Sequence, residues 1–277
     1  MKVLFVNNFK SPDYLNDCIY HGLSELDNIT LYNTTYPSYM MKNYKNKNKL
    51  YGKGFTIFGL LENKIILDNN IEKKIKEKFY DKIIYGSVHR DFSYSDLVFS
   101  VYSKENILCF DGEDHTQIKK NLLNKCRYFK RELIYNDKNL EPICFSVPEE
   151  KIIKEKSVKK KLFGTVIPGK KETYIFTKEN EYYRDYSISY YGNTCKKGGW
   201  DCMRHYEIMA AYSVPSFLNL EKCPERTMVY FPKKLILEFN KFSLENKIHP
   251  NYNEMNDELH DYFKNNLTTK RIIERII

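Results

Sequence analysis

The chain has 277 residues, 42% of them hydrophobic, with 24 Tyr, 17 Phe and a formal net charge of +9. That length and apolar content suit one large domain or two of ordinary size, and the aromatic content excludes a disordered chain. No run of about 18 apolar residues occurs, so no membrane-spanning helix is expected. The opening MKVLFVNNFK has an apolar run too short for a signal-peptide core and no small-residue cleavage site, which predicts an intracellular protein. Seven cysteines at scattered positions, none in C-x-x-C, fit a reduced cytoplasmic setting rather than a disulfide framework.

In chain order, VLFVNN (3–8) reads as a first buried strand and DYLNDCIYHGLSEL (13–26) as a helix with Leu15, Ile19, Leu23 and Leu26 on one face. Gly22 is a weak point inside that helix. A second strand is predicted over 28–33, and a glycine-punctuated loop with a strand over 51–61. Then follow a helix over 68–79, a strand over 82–87, a helix over 92–103 and a strand over 106–114 that ends in acidic residues. This alternation predicts a parallel sheet with helices on both faces.

The second half repeats the style. Strands are predicted over 143–148, 161–169 and 213–219, with a lysine-rich surface connection at 154–161 and a strand or turn over 185–193. Helices are predicted over 200–212, with Asp201 as cap, over 232–242, opened by Pro232, and over 256–277. No internal repeat is found. A boundary near 140–150 divides the chain into an α/β half over 1–145 and another over 146–277, facing a cleft.

Candidate chemistry concentrates in CKKGGWDCMRHYEIMAAYSVPSFLN (195–219), which holds the only Trp. Lys196, Lys197, Gly198 and Gly199 precede a predicted helix start, where free N–H groups and lysine charge suit an anion. Asp201, Arg204 and Glu207 recur every three residues, a spacing that permits side-chain pairs on one helix face. The flanking AAYSVPSFL is too apolar for a peripheral helix, which points the charged face towards a cleft at the strand ends. On the first helix, Asp13, Asp17 and His21 share a face, and Asp17 or His21 could serve a hydroxyl as base. Asp111 and Asp114 in FDGEDHT lie at a strand's carboxyl end, suited either to orienting hydroxyls or to capping a helix. Lys130 and Arg131 in YFKREL face either an anionic substrate or solvent. Cys195, Cys202, His205 and Cys223, at gaps of seven, three and eighteen, do not form a compact zinc-finger pattern.

The segment KKGGWDCMRHYEIMAAYSVPSFLNLEKCP resembles the carboxyl-terminal donor-binding segment of GT-B glycosyltransferases, in particular a bacterial and viral group with a K-x-G-W-D-x-x-R-H-Y-E-I-like stretch. DYLNDCIYHGL, GKGFTIFGLL, FDGED and YFKREL also look like this group, so the resemblance spans most of the chain. It implies two Rossmann-like halves, an acceptor side over 1–145 and a nucleotide-sugar side over 146–277. It further implies that Glu207 holds the donor ribose hydroxyls and that Lys196, Lys197 and Arg204 meet the donor diphosphate. A glycan or glycolipid acceptor, polysaccharide assembly and no cofactor beyond the donor follow from the same resemblance. Two positions depart from the family pattern: Gly199 stands where many retaining members have a second Glu, and Tyr212 where a Gly is usual. The stereochemistry of transfer therefore stays open.

The chain has no D-x-D, and the D-G-E-D carboxylates have different spacing, so metal use is not expected. Lysine-rich stretches at 41–53 and 150–161 suit peripheral contact with an anionic membrane at the inner face. Two rivals remain. The basic, tyrosine-rich composition also suits a non-catalytic nucleic-acid-binding protein, although no reader motif is present and nucleic acid is not the expected partner. A GT-B scaffold that only binds a sugar nucleotide is the other.

Overall fold

The computed structural model describes residues 1–62 and 65–277. The first half comprises β1 (Lys2–Val6), α1 (Tyr14–Ser24), β2 (Thr30–Asn33), β3 (Ile66–Leu67), α2 (Ile71–Lys76), β4 (Lys82–Tyr85), α3 (Ser95–Val101), β5 (Ile107–Asp111), β6 (Arg127–Lys130) and β7 (Leu140–Pro142). The remainder comprises β8 (Lys161–Phe163), α4 (Glu179–Ser187), β9 (Ser189–Cys195), α5 (Met203–Ala210), β10 (Val214–Leu218), α6 (Lys233–Ser243), α7 (Tyr252–Asn266) and α8 (Thr269–Ile276). Strands β1 to β7 form one parallel sheet in the order β3-β2-β1-β4-β5-β6-β7, a Rossmann-like arrangement. Strands β8 to β10 form a second, three-stranded parallel sheet in the order β10-β9-β8.

The central strands of the large sheet are near-continuous apolar runs because both faces are covered. Alternate residues go to opposite sides. Leu4, Val6, Ile83, Tyr85, Ile107 and Cys109 pack with α2 and α3 residues such as Ile75 and Val98. Val3, Phe5, Ile84, Leu108 and Phe110 face the other way, into a core that includes α1 and runs on through the small sheet. Gly22 explains itself here: a Cβ at that position would lie 2.3 Å from the Thr269 carbonyl oxygen, so α8 packs directly on α1.

Several predicted elements differ. The long terminal helix breaks in two, because Thr268 caps α8, accepting from Arg271 N–H at 3.2 Å, and forms a bridge with Val147. That single bridge is all that remains of the strand predicted over 143–148. Residues 51–61 make no strand. They form a strap in which Gly52, Lys53, Gly54, Thr56 and Gly59 have positive φ. Sequence reasoning missed β6, β7 and α4.

Candidate functional site

A cleft of about 670 Å³ is lined by residues from both the earlier and the later parts of the chain. Its first wall is the strap, through Tyr51, Gly52, Lys53 and Phe55, together with Tyr14, Asp114 and Phe145. Its second wall is Tyr174, Phe176, Tyr182, the Lys197–Gly199 loop, and the start of α5 with Arg204 and Glu207. Asp114, Lys197, Arg204 and Glu207 of the predicted site residues thus meet at one cavity.

The loop before α5 is held from below. Glu132, buried, accepts from the N–H groups of Trp200 and Asp201, both at 2.9 Å. Arg131 donates to the carbonyls of Asp201 at 2.5 Å and Gly112 at 2.9 Å, to Glu132 at 3.0 Å, and to Asp114. Gly198 and Gly199 admit these acids: an added Cβ would lie 2.3 Å from Asp114 Oδ2 and 2.4 Å from Glu132 Oε1, respectively. Gly199 is therefore required by a buried, close-packed carboxylate, whereas the exposed Asp114 side chain can swing aside from Gly198. Lys130 and Arg131, predicted to face a substrate or solvent, do neither. Both are buried against acidic partners, Lys130 with Asp111 at 2.8 Å. Burying two cations demands such pairing.

Asp201 caps nothing. Its carboxylate turns inward, accepting from Phe145 N–H at 2.8 Å and the Tyr206 hydroxyl at 2.6 Å, and Cys202 takes the cap position. Burial pushes this carboxyl up to about 6, with Arg131 pulling the other way. With Asp201 turned inward, Arg204 has no acidic partner there, and it forms no ion pair with Glu207. Its Nη2 donates to the Tyr174 hydroxyl at 3.1 Å, while Nε and Nη1 are buried with no hydrogen-bond partner. Lys197 reaches the same hydroxyl at 3.3 Å. Burial alone would raise the Tyr174 hydroxyl, but Arg204 and Lys197 outweigh it and hold it below its ordinary value. A buried guanidinium with two nitrogens free of protein partners can donate to an anion entering the cleft.

Glu207 accepts from Thr56 Oγ1 at 2.5 Å and the Tyr182 hydroxyl at 2.6 Å. Burial pushes its carboxyl above the ordinary range, against those two hydroxyls and Arg204. Thr56 lies on the strap at φ 69°, a costly conformation for a β-branched residue. It is held by bonds to Glu207 and Tyr183, and by its N–H on Glu179 at 2.5 Å. Lys53 donates across the cleft to the Tyr174 carbonyl at 3.3 Å and to that of Phe176. Thr56 and Glu132 lie in the singled-out segments GKGFTIFGLL and YFKREL but are not themselves assigned a role there, and Tyr174 carries no signal, because the partners that define all three lie far along the chain.

The other predicted residues lie elsewhere. Asp17 is fully buried beneath Tyr39, whose hydroxyl donates to it at 2.9 Å, and burial with the Asp13 charge lifts its carboxyl to about 8. His21 is buried under α8, hydrogen-bonded to Thr269 Oγ1 at 2.9 Å and 3.4 Å from Glu150. The polar face of α1 therefore does not reach the cleft, because α8 and the 38–41 turn cover it. Asp111 is buried and saturated by Lys130, Tyr128 at 2.5 Å and Glu113 N–H at 3.2 Å. Lys196 lies outside the cleft wall, its ammonium 5.3 Å over the Trp200 ring.

The zinc candidates are engaged separately. His205 hydrogen-bonds Thr194 at 2.8 Å and the Trp200 carbonyl at 2.8 Å, and Cys223 contacts backbone carbonyls. Among the described residues, no group of three or more His, Cys, Asp or Glu is placed to hold a metal. Five of the eleven lysines in the two lysine-rich stretches are ion-paired within the protein: Lys42 with Glu62, Lys47 and Lys151 with Glu179, Lys156 with Asp257, and Lys161 with Asp185. Among the described residues, no helix is long and apolar enough to cross a membrane. Comparison of the chain with family models, curated proteins and solved structures yields no match.

Proposed function

We propose that this protein is a glycosyltransferase that moves a sugar from a nucleotide-sugar donor to a glycan or glycoconjugate acceptor. In this reading the halves over 1–145 and 146–277 form a GT-B-like pair, with the acceptor on the first and the donor on the second. The observation that carries it is Arg204: buried, short of two hydrogen bonds, and set in the cleft wall beside Lys197 and Glu207. A leaving diphosphate needs its developing charge stabilised by fixed donors, and Arg204, Lys197 and the first turn of α5 offer them. Glu207 has lone pairs left for ribose hydroxyls beside its bonds to Thr56 and Tyr182. The aromatic walls offer flat apolar surface to a base or sugar ring. Assembly of a surface polysaccharide at the inner face of the membrane is the setting that the sequence resemblance implies.

A second reading, a scaffold that binds a sugar nucleotide without transferring it, is favoured by the removal of Asp17, His21 and Asp111 from the cleft. The test is a thermal-shift panel of UDP-, GDP-, ADP-, CMP- and dTDP-sugars, without metal and with Mg²⁺ or Mn²⁺. A selective, saturable rise in melting temperature supports a donor site. Turnover of the bound donor separates enzyme from scaffold. No shift with any donor, alongside stabilisation by oligonucleotides, replaces both with nucleic-acid binding.

A further inference from the structure

The two guanidinium nitrogens of Arg204 that lack a protein partner, Nε and Nη1, are both covered. Three tyrosines surround this head group: Tyr182, Tyr186 and Tyr174. Tyr182 is buried and tied to Glu207 at 2.6 Å, and Tyr186 is buried in the core. Tyr174 is held differently. Its ring centroid lies 5.2 Å from Arg204 Cζ and 5.6 Å from Lys197 Nζ, so the ring rests against both cations. Its hydroxyl oxygen accepts from Arg204 Nη2 at 3.1 Å and from Lys197 Nζ at 3.3 Å. Two charged donors thus converge on one oxygen, as they would on an oxygen of a phosphate.

The backbone around Tyr174 is fixed, whereas its ring is not. Lys53 reaches across from the strap to the Tyr174 and Phe176 carbonyls. Thr173 Oγ1 accepts from Ile167 N–H at 3.0 Å and donates to the Lys170 carbonyl at 2.7 Å. Among the described residues, Arg204 and Lys197 are the only hydrogen-bond partners of the Tyr174 hydroxyl. The ring also has somewhere to go. Besides the cleft, Tyr174 lines a second, open hollow of about 510 Å³. Lys171, Lys196 and Lys197 line that hollow and no acidic residue does, so a ring that moves there keeps cations to pack against.

We propose that the Tyr174 phenol is a displaceable autoinhibitory contact: it occupies the seat on Arg204 and Lys197 that the anionic part of the ligand takes, and swings into the neighbouring hollow to admit it. The inference rests on the diphosphate reading of the cleft above. Displacement uncovers the guanidinium, so the anion gains Arg204 Nη2 and Lys197 together with the two nitrogens that have no protein partner. The apparent affinity of the ligand falls by the fraction of molecules whose seat is open. The same competition loosens the hold on a bound diphosphate and favours its release as product.

The test titrates inorganic pyrophosphate by calorimetry into the full chain as wild type, Tyr174→Phe and Arg204→Met. Tyr174→Phe keeps the ring and removes the competing oxygen. Wild type gives up the net value of that hydrogen bond on binding, so Tyr174→Phe is expected to bind pyrophosphate about 3- to 10-fold more tightly. Arg204→Met should bind it about tenfold or more weakly than wild type. A crystal structure of wild type with pyrophosphate should show the Tyr174 hydroxyl moved off Arg204 and Lys197. Equal or weaker binding by Tyr174→Phe overturns the proposal, because the hydroxyl is then a bystander or a ligand contact. So does pyrophosphate bound in the cleft beside a hydroxyl still on both cations. Binding that Arg204→Met leaves unchanged, or binding by neither wild type nor Tyr174→Phe, overturns the diphosphate reading, and this inference with it.

Discussion

Lys130 and Arg131 at the end of β6, and Lys197 and Arg204 around α5, are the same residue types in opposite circumstances. The first pair is buried with each head group matched: Lys130 by Asp111, and Arg131 by Glu132, Asp114 and two carbonyls. The second pair shares one phenol, Tyr174, and leaves two guanidinium nitrogens unmatched. A matched buried cation is a structural tie, here fastening the β5 and β6 loops to the loop that opens α5. An unmatched one carries a desolvation cost that a molecule entering the cleft can relieve.

The comparison breaks most visibly at Arg131. Arg131→Met leaves Glu132 buried without its cation and is expected to cost about 3–5 kcal/mol of stability by chemical denaturation. A loss below about 1 kcal/mol would show that the tie is not structural. Arg204→Met removes an unsatisfied charge, so stability should hold or rise. Its affinity for a nucleotide-sugar donor should fall by about 1.5–3 kcal/mol, on the order of 10- to 100-fold, read by calorimetric titration. Loss of stability without loss of affinity would place Arg204 with Arg131.

The strap sharpens the same contrast, because it closes the wall opposite Arg204. Gly52 has φ 62°, and a Cβ there would lie 2.2 Å from the Tyr14 hydroxyl. Gly52→Ala is expected to cost about 1–2 kcal/mol and to weaken donor binding by displacing the strap. Wild-type stability and affinity in that variant would show that the strap tolerates the change.

Asp17 is the acidic counterpart, a buried carboxyl with hydrogen bonds but no cation. Its folded value of about 8 lies above the ordinary 3.8, through burial and then Asp13. A raised carboxyl contributes stability that is full below its unfolded value and is lost as pH rises through the folded one. The stability of wild type relative to Asp17→Asn should therefore decline between about pH 4 and pH 8. A difference that is flat with pH would contradict the assigned burial.

The large sheet was legible where strands are short apolar runs covered on both faces, as in β1, β4 and β5. β6 was not, because Arg127 and Lys130 look like surface charges until Glu141 and Asp111 are known to neutralise them. The polar ENEYYRDYS of α4 hid a helix whose buried side is tyrosine. At the site, Lys197, Arg204 and Glu207 were legible from one segment, since the start of α5 and the loop before it place all three. Asp17 and His21 were misplaced because the elements that cover α1, notably α8, are distant in the chain.

The central claim is that the second wall of the cleft is built for a diphosphate. The most direct measurement is calorimetric titration of UDP, GDP and inorganic pyrophosphate into the wild type and Arg204→Met, with both variants shown to be equally folded. The account predicts saturable binding of a nucleoside diphosphate to the wild type, competed by pyrophosphate and weakened at least tenfold in the variant, about 1.4 kcal/mol. Equal binding by both proteins, or binding by neither, would contradict it.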